Sequence, residues 1–185
     1  MHIDKYERTW LIVVVIVLAC FFAALTAGFL VYGVRLPSSD EGGFVIPAQL
    51  SNEPGYSDPG LREIGDKKYE LYIIAKKWRF DVGTDHEGTT QNPILRVPVG
   101  SSVKIHISSE DTTHGFIIED QNVNIELVPG HLAQLTAHFK HVGEFGVVCH
   151  EFCGISHHNM WMTIEVYDPA AVNTGAYSLL EEGEV

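Results

Sequence analysis

The order of apolar and polar residues divides the chain into an uncharged N-terminal run and a longer stretch of short alternating segments. From Trp10 to Val34 there are 25 residues without Asp, Glu, Lys or Arg. As a helix this run would measure roughly 37 Å, enough to cross a hydrocarbon core of about 30 Å. Signal peptides have shorter apolar regions, of about 7–15 residues. We therefore predict that segment 1–34 contains one transmembrane helix, with Trp10 and Tyr32 near the membrane interfaces.

The remaining pattern predicts a linker followed by a domain made of β-strands. Proline and glycine interrupt every periodic run in 35–66, which is typical of a linker. In 67–168, short runs rich in β-branched and aromatic residues are separated by turn signals, and no helical stretch lies between them. This spacing predicts an all-β fold, either an antiparallel sandwich or a barrel, and a loosely held tail over 169–185. The predicted strands are 69–74, 94–99, 103–108, 115–119, 123–128, 132–139, 143–148 and 161–167.

The charge of the chain limits its partners. Of 185 residues, 24 are Asp or Glu and 12 are Lys or Arg, which gives a net charge of −12. This sign argues against a nucleic-acid partner, because phosphate binding requires positive charge. Two interpretations remain open: the acidic surface steers a basic protein partner, or it keeps the protein soluble.

One segment, Cys149 to Met160, is dense in metal-binding side chains. It carries two thiols, an imidazole and a thioether at Cys149, Cys153, His157 and Met160, in the loop between two predicted strands. A further imidazole, His114, lies at the end of an upstream strand. Soft sulfur ligands combined with imidazole favour copper or zinc over metals that prefer oxygen.

Three interpretations of these residues compete. A disulfide between Cys149 and Cys153 leaves the histidines and the methionine unexplained. A tetrahedral zinc site has enough ligands but no use for Met160. A weak thioether beside cysteine and histidine is typical of copper electron-transfer sites in β-sandwiches, and a second cysteine allows two thiolates to bridge two metals. Copper is the interpretation that uses all of these side chains.

The pattern C-x-x-x-C-x-x-x-H-x-x-M, with D-x-x-H upstream at Asp111 to His114, resembles subunit II of the haem–copper respiratory oxidases. The resemblance covers nearly the whole chain, and the single predicted span resembles members distant from the mitochondrial type. It implies a cupredoxin-like Greek-key β-sandwich with a binuclear copper centre, CuA, behind one N-terminal transmembrane helix.

The resemblance also implies a role for each ligand. Both cysteines would bridge two coppers, one histidine would bind each copper, and the thioether and a backbone carbonyl would be weak ligands on the two sides. The carbonyl would come from Glu151, and the carboxylate of the same residue could bind Mg²⁺ at the interface with a partner. The implied metal ligands are His114, Cys149, Glu151, Cys153, His157 and Met160.

The segment around Trp78 and Phe80 resembles the aromatic stretch through which members of this family receive electrons. Lys76 and Lys77 stand where aromatic residues are usual in the family, so the chain departs from the pattern here. Packing in the core is the alternative interpretation for both aromatic residues.

The resemblance implies that the chain is the electron-entry subunit of an oxidase that works in the respiratory chain. Its copper domain would lie outside the cytoplasmic membrane and accept electrons from cytochrome c or a small copper protein. The electrons would pass to haem in a large membrane subunit, subunit I, where oxygen is reduced. The same residues would serve in the CuA-bearing small subunit of a nitric oxide reductase, which remains an alternative. A membrane-tethered copper chaperone fits less well, because the segment of candidate ligands, Cys149 to Met160, holds only one methionine.

Overall fold

A computed structural model of the protein describes residues 4–32 and 43–173. Helix α1 spans Lys5–Tyr32, and its 28 residues measure about 42 Å at 1.5 Å per residue. It is uncharged from Trp10 onward, and most of its side chains are exposed, Trp10 and Cys20 among them. Among the described residues it is the one helix that is long and apolar enough to cross a membrane. The predicted span agrees with α1 up to Tyr32, and residues 33 and 34 lie outside the described part.

The rest of the described chain forms a second compact unit, built as a sandwich of two sheets. The first sheet has the order β1-β2-β6-β9, and β3 pairs with β2; its strands are β1 Gly60–Gly65, β2 Lys68–Lys76, β3 Arg79–Asp81, β6 Ser101–Ser109 and β9 Ala133–Phe139. The second has the order β4-β5-β11-β10-β7-β8; its strands are β4 Glu87–Gly88, β5 Pro93–Pro98, β7 His114–Ile118, β8 Val123–Leu127, β10 Gly143–Val148 and β11 Trp161–Tyr167. Two 3₁₀ helices, Pro47–Asn52 and His157–Asn159, and the short helix α2 Pro169–Asn173 complete the unit.

The predicted class, an all-β cupredoxin-like Greek-key sandwich behind one N-terminal helix, is confirmed. The sheets are mixed, however, and not purely antiparallel as the strand pattern alone indicated. Strand β2 pairs with β6 in parallel, and so does β5 with β11. Between the two strands of each parallel pair, the chain contributes strands to the other sheet and then returns. Such a crossover connection allows the two strands to pair in parallel.

The core lies between the two sheets. In β6 the apolar side chains of Val103, Ile105 and Ile107 are buried there, as their alternation predicts, and Lys104 is exposed. His106, which alternates with these apolar residues on the other face of β6, is also buried, with its side chain only 8% exposed. The outer face of this sheet is covered by a further segment of the chain.

That covering segment comes from the region predicted as a linker. Within 35–66, residues 43–66 are described, and they contain a 3₁₀ helix and strand β1, which pairs antiparallel with β2. Leu50 and Tyr56 form a second apolar cluster with Ile74 on the outer face of the first sheet. The linker prediction is therefore wrong for this part. Strand β1 is short and lies at the edge of the sheet, so it has little apolar periodicity. The prolines and glycines around it were therefore the stronger signal in the sequence.

The other predicted boundaries stay predictions. Domain 67–168 contains β2 to β11, and the described residues extend both before and after it. Of the tail 169–185, the described part is helix α2, and residues 174–185 lie outside the described residues.

Leu50→Ala tests whether the segment before β1 belongs to the folded domain. Leu50 is fully buried, so its truncation should lower the free energy of unfolding of the metal-free chain in detergent by about 2–5 kcal/mol. The exposed neighbour Gln49→Ala should change it by less than about 0.5 kcal/mol. Denaturant unfolding followed by circular dichroism measures both values, and equal stabilities would show that the segment is a linker.

His106 should make the domain less stable as the pH falls. Burial and the nearby Lys104 lower the pKa of His106, although Glu70 opposes them. Below a pH of about 6.5 the unfolded chain takes up a proton at this residue that the folded chain does not, so stability is lost as the pH falls. In His106→Gln the urea midpoint should therefore change less between about pH 7.5 and about pH 5.5 than in the unaltered chain. Replacing the exposed His138 with Gln is the control, and an equal effect of both substitutions would contradict the prediction.

Candidate metal centre

The loop between β10 and β11 holds most of the predicted ligands at one end of the second sheet. Cys149 directly follows β10, and Met160 directly precedes β11. The backbone N–H of Cys149 donates to the carbonyl of Met160 at 3.1 Å, which closes the base of the loop. His114 begins β7, the strand that pairs with β10 on its other side. Two neighbouring strands therefore bring together ligands that are 35 positions apart in sequence.

The two cysteine sulfurs form the middle of the centre. Sγ of Cys149 lies 3.9 Å from Sγ of Cys153. Each sulfur has a histidine beside it: Nδ1 of His114 lies 3.9 Å from the Cys149 sulfur, and Nδ1 of His157 lies 3.5 Å from the Cys153 sulfur. A disulfide bond requires about 2.05 Å between the sulfurs, so the two cysteines are free thiols in this structure.

Each sulfur also has a weaker donor beside it. The carbonyl oxygen of Glu151 lies 3.3 Å from the Cys149 sulfur, and Sδ of Met160 lies 3.8 Å from the Cys153 sulfur. Six donor atoms therefore lie together in two similar sets, one at each sulfur. We call this group the metal centre: His114, Cys149, the carbonyl of Glu151, Cys153, His157 and Met160.

His114 is held in one orientation by an acid from the preceding loop. Its Nε2 lies 2.8 Å from Oδ1 of Asp111, so the proton on Nε2 is donated to the carboxylate and Nδ1 is left as an acceptor towards the sulfurs. Burial opposes ionisation of Asp111, but hydrogen bonds from His114 and from the backbone N–H groups of Lys77 and Thr112 outweigh it and lower the pKa of the carboxyl. Histidines that bind metals commonly have such a partner.

The sulfurs of the metal centre and His114 are buried, and this decides the proton chemistry of the cysteines. His114 is fully buried, and Cys149, Cys153 and Met160 are each less than 10% exposed. Burial and the neighbouring Cys149 raise the pKa of Cys153 to about 12. Two thiolates therefore do not form side by side at neutral pH without a cation, and metal binding must release protons.

The donor set fits copper. Two thiols, two imidazoles and a thioether are soft or intermediate ligands. A buried cation would relieve the repulsion between two ionised sulfurs at this distance. A closed tetrahedral zinc site would use four ligands and would leave the Met160 thioether facing the centre without a role.

Comparisons with known proteins agree with this geometry. A model of the family described as "Cytochrome C oxidase subunit II, periplasmic domain" matches residues 56–167. One cytochrome c oxidase subunit 2 of Thermus thermophilus is 29% identical over 163 residues, which are 87% of this chain and 91% of the relative. A second Thermus thermophilus sequence of the same name is 33% identical over 124 residues, 66% of this chain and 84% of the relative.

One solved structure is similar along its whole length. It is a chain in the cryo-EM structure of a haem–copper terminal oxidase dimer, with a TM-score of 0.71 and 32% sequence identity. The match covers 88% of this chain and all of that one. The chain belongs to the cytochrome c oxidase subunit II family.

Membership of the subunit II family confirms the resemblance seen in the sequence. Its relatives are subunits of an oxidoreductase, the haem–copper oxidase. The cluster of His114, Cys149 and Cys153, whose ligand atoms all lie within 4.8 Å of one another, is compatible with the copper site of this family.

The structure places the two aromatic residues predicted for electron entry differently. Trp78 is half-buried, and its Nε1 donates to the carbonyl of Cys153 at 3.1 Å, so it contacts the metal centre. Phe80 is fully buried and packs edge-to-face on Phe116, with ring centroids 5.4 Å apart. Phe80 therefore belongs to the core, and of the two only Trp78 reaches both the metal centre and the surface. Electron entry through this pair stays a prediction.

Glu151 points its two polar ends in different directions. Its carbonyl faces the Cys149 sulfur, whereas its carboxylate is exposed and lies 3.5 Å from Nδ1 of His150. The exposed carboxylate can reach a partner protein, and Mg²⁺ binding there stays a prediction.

Sequence reasoning missed the contacts that hold the ligand loop from outside. Asn92 donates to the carbonyl of Trp161 at 3.1 Å, and Gln91 donates to the carbonyl of Asn159 at 3.3 Å. The backbone N–H of Lys77 donates to Asp111 at 2.8 Å. These residues are far from the loop in sequence and have no metal-binding side chains, so the sequence carries no signal for them.

Proposed function

We propose that this chain is the electron-entry subunit of a haem–copper terminal oxidase, with a binuclear CuA centre. It would accept electrons one at a time from cytochrome c or a small copper protein and relay them to haem in a catalytic membrane subunit, where oxygen is reduced. The observation that supports this most strongly is the pair of buried sulfurs 3.9 Å apart, each with a histidine and a weaker donor beside it.

The number and arrangement of donors favour two metal ions over one. Cys149 and Cys153 are close enough to be shared, and the remaining donors occur in pairs: two imidazoles, and one thioether with one carbonyl. We infer that both thiolates bridge the ions, that His114 and His157 each bind one, and that Met160 and the Glu151 carbonyl are weak ligands.

Two bridged coppers would supply a one-electron carrier whose net charge, counting both thiolates, is about +1 when oxidised and about 0 when reduced, which limits the cost of burying it. The protein's part is to hold the ligands still and exclude water. His114 is fully buried and fixed by Asp111, and the loop is closed by the Cys149–Met160 hydrogen bond. Ligands that move little on electron arrival favour fast transfer, and no substrate bond is broken in this chain.

The anchor and the charge support the proposed location and donor. Helix α1 can cross a membrane once, and the family model is that of a periplasmic domain, so we infer a single-pass protein of the cell membrane with its copper domain outside. Lys5 and Arg8 before the span and Arg35 after it weakly favour an inside N-terminus. A net charge of −12 would attract a basic donor such as many cytochromes c.

Metal content and electron spin resonance test the proposal on the full-length chain in detergent. Loaded with copper, it should bind two ions per chain that share one unpaired spin, seen as hyperfine splitting from two copper nuclei, and it should absorb visible light. Cys149→Ser should lose this signal because one bridge is gone. One copper per chain, or a colourless zinc protein, would rule the proposal out.

The intact complex provides the functional readout. With its catalytic subunit, the chain should support oxygen uptake from a reduced donor, and Cys149→Ser should reduce this to background. Consumption of nitric oxide without oxygen uptake would instead identify the nitric oxide reductase alternative, and full oxygen uptake by the variant would contradict the relay role.

Met160→Leu isolates the thioether. Met160 is almost completely buried, and leucine has a similar volume. The free energy of unfolding should therefore change by less than about 1.5 kcal/mol. Two coppers should still bind, but the reduction potential and the hyperfine pattern should change, because a weak axial ligand tunes both. Met162→Leu is the matched control, since Met162 is also buried but belongs to strand β11. Identical potentials in the two variants would remove Met160 from the centre.

A further inference from the structure

The short turn between β2 and β3, formed by Lys77 and Trp78, is connected to both halves of the metal centre, the donors beside the Cys149 sulfur and those beside the Cys153 sulfur. The backbone N–H of Lys77 donates to Oδ2 of Asp111 at 2.8 Å, and the other oxygen of this carboxylate holds His114. The indole N–H of Trp78, one residue further on, donates to the carbonyl of Cys153 at 3.1 Å. We propose that this turn, here called the β2–β3 turn, is a positioning device that sets the two halves of the copper centre relative to each other.

The first half of the device acts through Asp111. Its Oδ2 accepts from the N–H of Lys77, and its Oδ1 accepts from Thr112 at 2.7 Å and from His114 at 2.8 Å. A carboxylate with hydrogen bonds on both oxygens cannot rotate freely. The ring of His114 is therefore held in position by the backbone of the β2–β3 turn. This turn joins two strands of the first sheet, whereas His114 belongs to β7 of the second sheet.

The second half acts through Trp78. Its indole approaches the loop at Gly154, where an added Cβ would lie 3.0 Å from Nε1 and 3.4 Å from Cζ2 of Trp78. Gly154 also has a φ of +123°, which side chains other than glycine rarely adopt. The loop thus leaves space for the indole at the point where it holds the Cys153 carbonyl. This hydrogen bond fixes the backbone from which the Cys153 thiol projects.

A third contact ties the same turn to the end of the ligand loop. The side-chain amide of Gln91 donates both to the carbonyl of Trp78 and to the carbonyl of Asn159. Asn159 directly precedes Met160. The β2–β3 turn therefore contacts Cys153 directly, and it is connected to His114 through Asp111 and to the segment that carries Met160 through Gln91.

This role differs from packing and from electron entry. Packing would need only the bulk of the indole, and electron entry only its ring, whereas positioning needs the N–H. The inference rests on the proposed copper function, because it concerns how the ligands are held for that metal. Outer hydrogen bonds of this kind typically change metal affinity by about 10- to 100-fold when removed.

Trp78→Phe in the full-length, copper-loaded chain tests the N–H alone. Copper retention against a chelator should fall about 10- to 100-fold, and the reduction potential and hyperfine pattern should shift. Trp161→Phe is the control: Trp161 follows the last ligand and is partly exposed, and its indole makes no hydrogen bond within the described part of the chain. The Trp161→Phe variant should have the copper retention, reduction potential and hyperfine pattern of the unaltered chain. Trp78→Phe with copper retention, potential and spectrum all like the unaltered chain would overturn the proposal.

Asp111→Asn and the double variant test the coupling between the halves. One amide oxygen cannot replace two carboxylate oxygens, so Asp111→Asn should also weaken copper retention. Because both contacts depend on adjacent residues of one turn, the double variant should lose less than the product of the two single losses. Losses that simply multiply would mean that the two contacts act independently and would overturn the shared device.

Two further measurements keep the outcomes distinct. The urea midpoint of the metal-free variants should match that of the unaltered chain, so that a loss of copper is not a loss of fold. If Trp78→Phe fails this check, Asp111→Asn alone must still shift the potential, or the proposal fails. If the unaltered chain does not bind two coppers, the proposed function fails; if it does but Trp78→Phe behaves like it, only the positioning role fails.

Discussion

The structure depends on two buried thiol groups held side by side. Cys149 and Cys153 place their sulfurs 3.9 Å apart in the interior, and their proximity and burial oppose the loss of both protons. A cation removes this conflict, because it stabilises the charged form that the interior otherwise rejects. The metal centre is therefore unfavourable as two thiolates alone and favourable as a metal complex, and the surrounding contacts keep the sulfurs in this arrangement.

The sandwich supplies those contacts from both of its sheets. Strands β7, β10 and β11 bring His114 and the two ends of the ligand loop together at one end of the second sheet. The first sheet adds the β2–β3 turn, which reaches His114 through Asp111 and Cys153 through Trp78. A loop on one sheet alone would be free to move at its tip. Because contacts from the opposite sheet also hold the loop, the spacing of the ligands depends on both sheets.

The elements that could be predicted are those whose side chains alternate or bind metal. Strands β5 to β11 have apolar faces buried in the core, and their bounds differ from the predicted ones by about a residue or two. Strand β1 and the Leu50 cluster were missed because an edge strand and isolated buried side chains leave no periodic pattern. The ligands of the loop follow from their chemistry and spacing. The contacts made by Lys77 and Gln91 use ordinary groups brought close only by folding, so no local pattern reveals them.

The acidic surface and the metal centre act over different distances, so they can serve different steps. At physiological salt, exposed charges are screened beyond about 8 Å, and their sum chiefly affects how often a charged donor arrives. The metal centre itself is largely buried, and hydrogen bonds to Asp111 and to the Cys153 carbonyl act there at about 3 Å. A change in surface charge would therefore alter encounter with a charged partner more than it alters the centre. The hydrogen bonds of the β2–β3 turn act at the shorter range, on Asp111 and on the Cys153 carbonyl.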